Sequence, residues 1–95
     1  MKIRWVRLAL DDLRDIDAFI SKDSPAAAKK VLASIWESTH LLKEHPHVGR
    51  PGRVSGTREL VISGTPFITP YRVVSNEIQI LRVNHGARNL PKIFD

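Results

Sequence analysis

Six arginines crowd the second half of the chain, Arg50, Arg53, Arg58, Arg72, Arg82 and Arg88, and among them stand Glu59, Tyr71 and His85. Arginine carries a rigid, permanently charged fork that matches the paired oxygens of a phosphate or a carboxylate, so the set reads as a surface for an anionic partner. Residues 1–49 hold eight basic and seven acidic side chains and residues 50–95 hold seven and three, so most of the +5 net charge comes from the arginine-rich half. A merely solvated basic surface would favour lysine, whereas Lys92 is the only lysine after Lys43.

Other chemistries are poorly supplied. There is no cysteine, which removes disulfides, thiolate metal sites and a cysteine nucleophile. His45 and His47 flank Pro46 at a spacing that matches no metal signature, and His40 and His85 stand alone, so no metal and no cofactor are expected. The segment after Met1 is charged and lacks the apolar run of a signal peptide, and no stretch approaches a membrane span, so a cytoplasmic protein with no membrane contact is expected. The 95 residues suit one domain, 1–95, with a single modest core. Such a core leaves a small margin of stability, which a partner covering exposed apolar surface would widen.

The elements that must position these residues follow from the apolar periods. Ile3 and Trp5 alternate with Arg4 as a first strand. From Leu10 the apolar positions are Leu10, Leu13, Ile16, Phe19 and Ile20, one face of a helix whose start is rich in aspartate, which suits its dipole. Ser24-Pro25 is a helix start, and a second apolar face runs through Ala28, Val31, Leu32, Ile35, Thr39 and Leu42 to a limit at His45-Pro46. Residues 47–56 read as a glycine-rich loop. Three β-rich runs follow, Arg58 to Ile62, Phe67 to Val74 and Ile78 to Val83, the last placed inside the sheet, while Pro70 argues for an edge or a bulge. The expected fold is α+β in the order β-α-α-β-β-β, an antiparallel helical hairpin packed on one face of a mostly antiparallel sheet. The other face is left for a ligand.

With those elements laid out, the segments Gly49-Arg50-Pro51-Gly52-Arg53, Gly56-Thr57-Arg58-Glu59-Leu60, Tyr71-Arg72-Val73 and Ile80 to Arg88, with the early Ala9, Asp12, Leu13 and Ile16, together resemble the RelE/ParE toxins of type II toxin–antitoxin modules. The resemblance spans the chain and rests on the order of its pieces. It implies a toxin that stops bacterial growth until a cognate antitoxin wraps it with an acidic or amphipathic segment, in a hetero-oligomer. It also implies one of two targets: DNA gyrase, poisoned without hydrolysis as by ParE-like members, or messenger RNA on the ribosome, cut as by RelE-like members.

Metal-free RNA cleavage needs a base for the 2′-hydroxyl, an acid for the leaving oxygen, and fixed positive charge for the phosphorane. Here the proton work would fall to His85, Glu59 or Tyr71, and the resemblance makes His85 and Arg72 the foremost catalytic candidates, with Glu59 beside them. Arg50, Arg53, Arg58, Arg82, Arg88 and Tyr71 would bind the target or its phosphates. Plainer roles compete: His85 bonding backbone at a strand end, Glu59 in an ion pair with Arg58, Tyr71 packing in the core or at an edge, and Trp5 and Trp36 in the core or facing the antitoxin. Gly86 follows His85 where such ribonucleases commonly have tyrosine, and no glutamate lies near Gly52. The acid–base set is incomplete, which favours the gyrase target; a free-standing nucleic-acid-binding module or a degenerate toxin is the alternative of another class.

Overall fold

The computed structural model describes residues 1–86. Strand β1 (Lys2–Trp5) leads into helices α1 (Arg7–Ser21) and α2 (Pro25–His40), and a 3-10 turn covers Leu41–Lys43. Then come β2 (Arg50–Pro51), β3 (Arg58–Val61), β4 (Phe67–Val74), β5 (Glu77–Ile80) and β6 (Asn84–His85).

Helix α2 begins as its sequence demands, for Ser24 is extended and its hydroxyl accepts the Ala27 amide at 3.1 Å, with Pro25 in the first turn. It ends at His40, before the proline limit, where the Thr39 hydroxyl donates back to the carbonyls of Ile35 and Trp36 and the chain tightens into the 3-10 turn. Helix α1 starts a turn earlier than its apolar pattern suggests, at Arg7, so the first turn holds no acidic residue. Its core stripe runs through Ala9, Leu13, Ile16 and Ile20; Phe19 falls beside that stripe and is 72% exposed, contrary to its expected core position.

The sheet order is β1-β5-β4-β3-β2, with β6 on β4. Among the described residues only the β1–β5 pair is parallel. The helical hairpin covers the face that carries Ile3, Trp5, Ile78, Ile80, Tyr71 and Leu60, with core clusters around Ile78–Ile80 and around Ile35, Ile62 and Val83. The residues expected to form a plain loop at 47–56 include β2, which pairs Arg50 with Glu59 and Pro51 with Arg58.

Pro70 sits in a central strand rather than at an edge, and a bulge makes that possible. Ile80 pairs with Tyr71 and Asn84 with Ile68, so three residues, 81–83, lie opposite two, 69–70. The Pro70 carbonyl accepts the Leu81 amide at 2.9 Å on that side. The missing N–H of the proline therefore falls where the ladder is already interrupted. No helix among the described residues is long and apolar enough to cross a membrane.

Candidate functional site

Successive strand residues face opposite sides, so the registers sort the candidate residues by face. Arg4, Gln79 and Arg72 are cross-strand neighbours, as are Arg50, Glu59 and Pro70, and all of these lie on the face that the helices leave open. Tyr71, Arg58 and Phe67 point to the helix side, and so does His85, the partner of Phe67.

On the open face the polar groups form a ladder. Arg4 Nε donates to Glu77 Oε1 at 3.0 Å, Gln79 Nε2 donates to the same oxygen at 2.9 Å, and Arg72 Nε donates to Gln79 Oε1 at 2.7 Å. The bonds from Gln79 and then Arg4 hold the Glu77 carboxyl below its ordinary pKa. Arg72 is thus anchored through one nitrogen while its other end faces out.

Glu59 is buried on the same face, yet its partner differs from the expected Arg58. Arg50 donates to Glu59 Oε1 through Nε at 3.3 Å and Nη2 at 3.1 Å, and the Arg53 amide reaches Oε2 at 3.4 Å. Neighbours in a strand point apart, so Arg58 turns to the other side and donates from Nη1 to the carbonyls of His47, at 3.1 Å, and Gly49, at 2.9 Å. Glu59 therefore clasps the β2–β3 hairpin.

Tyr71, a candidate for contact with the target, is fully buried and spends its hydroxyl on the chain: it donates to the Pro46 carbonyl at 2.8 Å and accepts the Gly49 amide at 2.9 Å. Burial raises its pKa above the ordinary 10.0, against smaller opposing effects of the Gly49 bond and the Arg58 charge. A Cβ at Gly49 would come within 2.7 Å of that phenol, which explains the glycine.

His85 and Arg72 are not brought together. They project from opposite faces, and their levels on β4, Phe67 and Arg72, are five residues apart, or about 17 Å at the rise of a strand. The His85 ring instead meets Phe67 edge-on, with centroids 5.9 Å apart. Arg82 turns to α1, where Asp12 takes its Nε at 2.8 Å and its Nη2 at 3.1 Å and also accepts the Val83 amide at 2.9 Å. Desolvation opposes the effect but the Asp12 bond outweighs it, so the Arg82 pKa is raised. Arg88 lies outside the described residues.

Two features were missed by residue-type reasoning. Gln79 and Glu77 set the orientation of Arg72, a role that only the register reveals. The other is an apolar groove of about 650 Å³ between the helices, lined by Trp5, Leu10, Leu13, Leu32, Ile35 and Trp36. Trp36 is 57% exposed there and stacks on His40 with centroids 4.1 Å apart. The apolar faces named both helices and left Trp36 either in the core or facing a partner; the helix packing leaves it uncovered.

Residues 3–90 match a family model described as the ParE toxin of the type II toxin–antitoxin system parDE. The chain is 45% identical over 93 residues to Y4kP of Sinorhizobium fredii, named as a candidate toxin, covering 98% of this chain and 96% of that one. Among solved structures it is similar to a chain of the chromosomal ParDE toxin–antitoxin system from P. aeruginosa, with 35% identity, a TM-score of 0.80, and 90% and 95% of the two chains covered. It is also similar to a chain of the RelBE2 toxin–antitoxin complex from Mycobacterium tuberculosis, with 27% identity, a TM-score of 0.57, and 88% and 95% covered.

Proposed function

The chain belongs to the ParE toxin family of type II toxin–antitoxin systems, and from that premise we propose that it arrests bacterial growth by poisoning DNA gyrase without hydrolysing a substrate, until a cognate antitoxin covers it. The observation that carries the choice of target is the dispersal of the catalytic candidates. The proton-transfer groups and the fixed positive charge must all reach one phosphate. His85 and Arg72 instead leave opposite faces about 17 Å apart along β4. Glu59 is clasped by Arg50, and Tyr71 is enclosed.

The groove between α1 and α2 is the seat proposed for the antitoxin. Its volume and apolar lining suit one face of an amphipathic helix, and Trp36, 57% exposed, gains from being covered. Arg14 and Asp17 also line it and would meet the polar edges of such a helix.

The test runs two assays on purified, antitoxin-free protein: gyrase supercoiling with detection of cleavage complexes, and messenger RNA cleavage in a translating extract. Inhibited supercoiling with intact RNA is the expected result. RNA cut at ribosome-bound positions with gyrase unaffected would overturn the proposed target.

A further inference from the structure

A second depression, of about 310 Å³, lies away from the helical groove, at the far end of the β2–β3 hairpin. His47, Pro51, Thr57, Arg58, Arg72 and Val73 line it. Its origin is a mismatch of strand lengths. Strand β4 runs to Val74, but its pairing with β3 stops at Arg58 opposite Tyr71, so residues 72–74 have β5 on one side and the cleft on the other.

The hairpin that ends β4 fixes which main-chain groups face the cleft. Ser75 and Asn76 both have positive φ, 51° and 61°, and form a two-residue turn that closes on the Val74–Glu77 pair. In such hairpins the closing pair exchanges both main-chain bonds, and the pattern alternates along the ladder. Val74 and Arg72 then bond toward β5, as the Pro70 carbonyl does in accepting Leu81. Val73 is left with its N–H and C=O directed into the cleft, a donor and an acceptor at a strand edge.

Two cations flank that edge. Arg58 is held by the carbonyls of His47 and Gly49 through Nη1, and Arg72 is held by Gln79 through Nε. Each guanidinium is fixed by part of its fork and keeps further N–H groups for another acceptor. The carboxylates closest in sequence are already engaged, Glu59 with Arg50 and Glu77 with Arg4. A guanidinium already held in place binds a carboxylate by charge-assisted bonds, and an open strand edge binds extended peptide.

We propose that this cleft binds an extended acidic segment of a partner protein, its backbone paired with Val73 and its carboxylates, which alternate between the two faces of the sheet, meeting Arg58 on the helix side and Arg72 on the open face. The partner meant is the antitoxin, and to that extent the inference rests on the toxin reading above. Peptide is favoured over nucleic acid because the main-chain donor and acceptor of Val73 match another main chain, whereas a phosphate backbone accepts but does not donate. The site is distinct from the apolar groove, so one partner reaching both would gain from the link between them.

The test is an amide-resolved NMR titration of the folded chain with an acetylated tetraglutamate peptide, and with tetraglutamine and an oligouridylate of equal charge as controls. Saturable shifts confined to Thr57, Arg72, Val73 and their neighbours are expected with tetraglutamate and not with tetraglutamine. Arg72→Gln, whose side chain is exposed, should keep the spectrum of a folded protein and weaken tetraglutamate about tenfold, as loss of a charge-assisted bond implies. Shifts that are absent, scattered, or unaltered in Arg72→Gln would overturn the proposal. Tighter action of the oligouridylate on the same amides would overturn it in favour of a nucleic-acid groove. Growth arrest by the unbound chain is scored separately, so a failed cleft and a failed toxin reading give different results.

Discussion

At the residue scale, side chains that look chemical in the sequence often turn out to hold the chain together, and Tyr71 is the clearest instance. Residue type pointed to a binding role, and nothing in the sequence placed its hydroxyl against Pro46 and Gly49 across a gap of more than twenty residues. Tyr71→Phe should cost about 1–3 kcal/mol in urea unfolding, because the buried Gly49 amide loses its acceptor. The raised pKa adds a pH signature. A phenol that stays neutral longer in the fold than in the unfolded chain contributes fully below pH 10.0 and loses that contribution as pH rises through the folded value. Stability should therefore fall in alkaline solution above about pH 10, and Tyr71→Phe should flatten that fall. Thr69 makes the opposite case: its hydroxyl is buried and has no partner among the described residues. Thr69→Val should raise stability by about 1 kcal/mol, and a loss instead would mean that an internal water serves that hydroxyl.

At the scale of elements, much of the fold was legible because local rules and tertiary packing agree. Ser24-Pro25 starts α2, and β4 occupies the run from Phe67 to Val74 expected from its β-branched and aromatic content. What could not be read was pairing over long separations. The parallel contact of β1 with β5 joins the start of the chain to residue 77 and beyond, and two-residue strands such as β2 have too few positions to show a period. Asp12, expected as one of the aspartates that suit the dipole of the helix start, instead fastens α1 to the segment after β5 through Arg82 and the Val83 amide. Asp12→Asn should cost about 1.5–3 kcal/mol, since a partly buried guanidinium loses its counter-charge. A thermal midpoint equal to that of the parent chain would reduce the contact to an incidental surface pair.

At the scale of the whole molecule, one side of the protein is apolar and helical and the other polar and cationic, and the two offer different handles to a partner. Trp36→Asp should weaken neutralisation by the antitoxin at least thirtyfold, the loss of a central aromatic anchor being about 2 kcal/mol or more, while leaving growth arrest intact. Equal loss of toxicity would instead place Trp36 at the target. The division of residues between the two sides was legible up to Ile80, because strict alternation assigns each strand residue to a face. Beyond it the assignment fails for a countable reason: the bulge holds three residues against two. An odd insertion reverses parity. In an unbroken strand Asn84 would have pointed to the helices and His85 to the open face, on the side of Arg72; the extra residue exchanges them. Removing a single residue of the bulge would thus turn Asn84 and His85 inside out while leaving both side chains as they are, so in this architecture the chemistry offered to a target can be rewritten by length as well as by substitution.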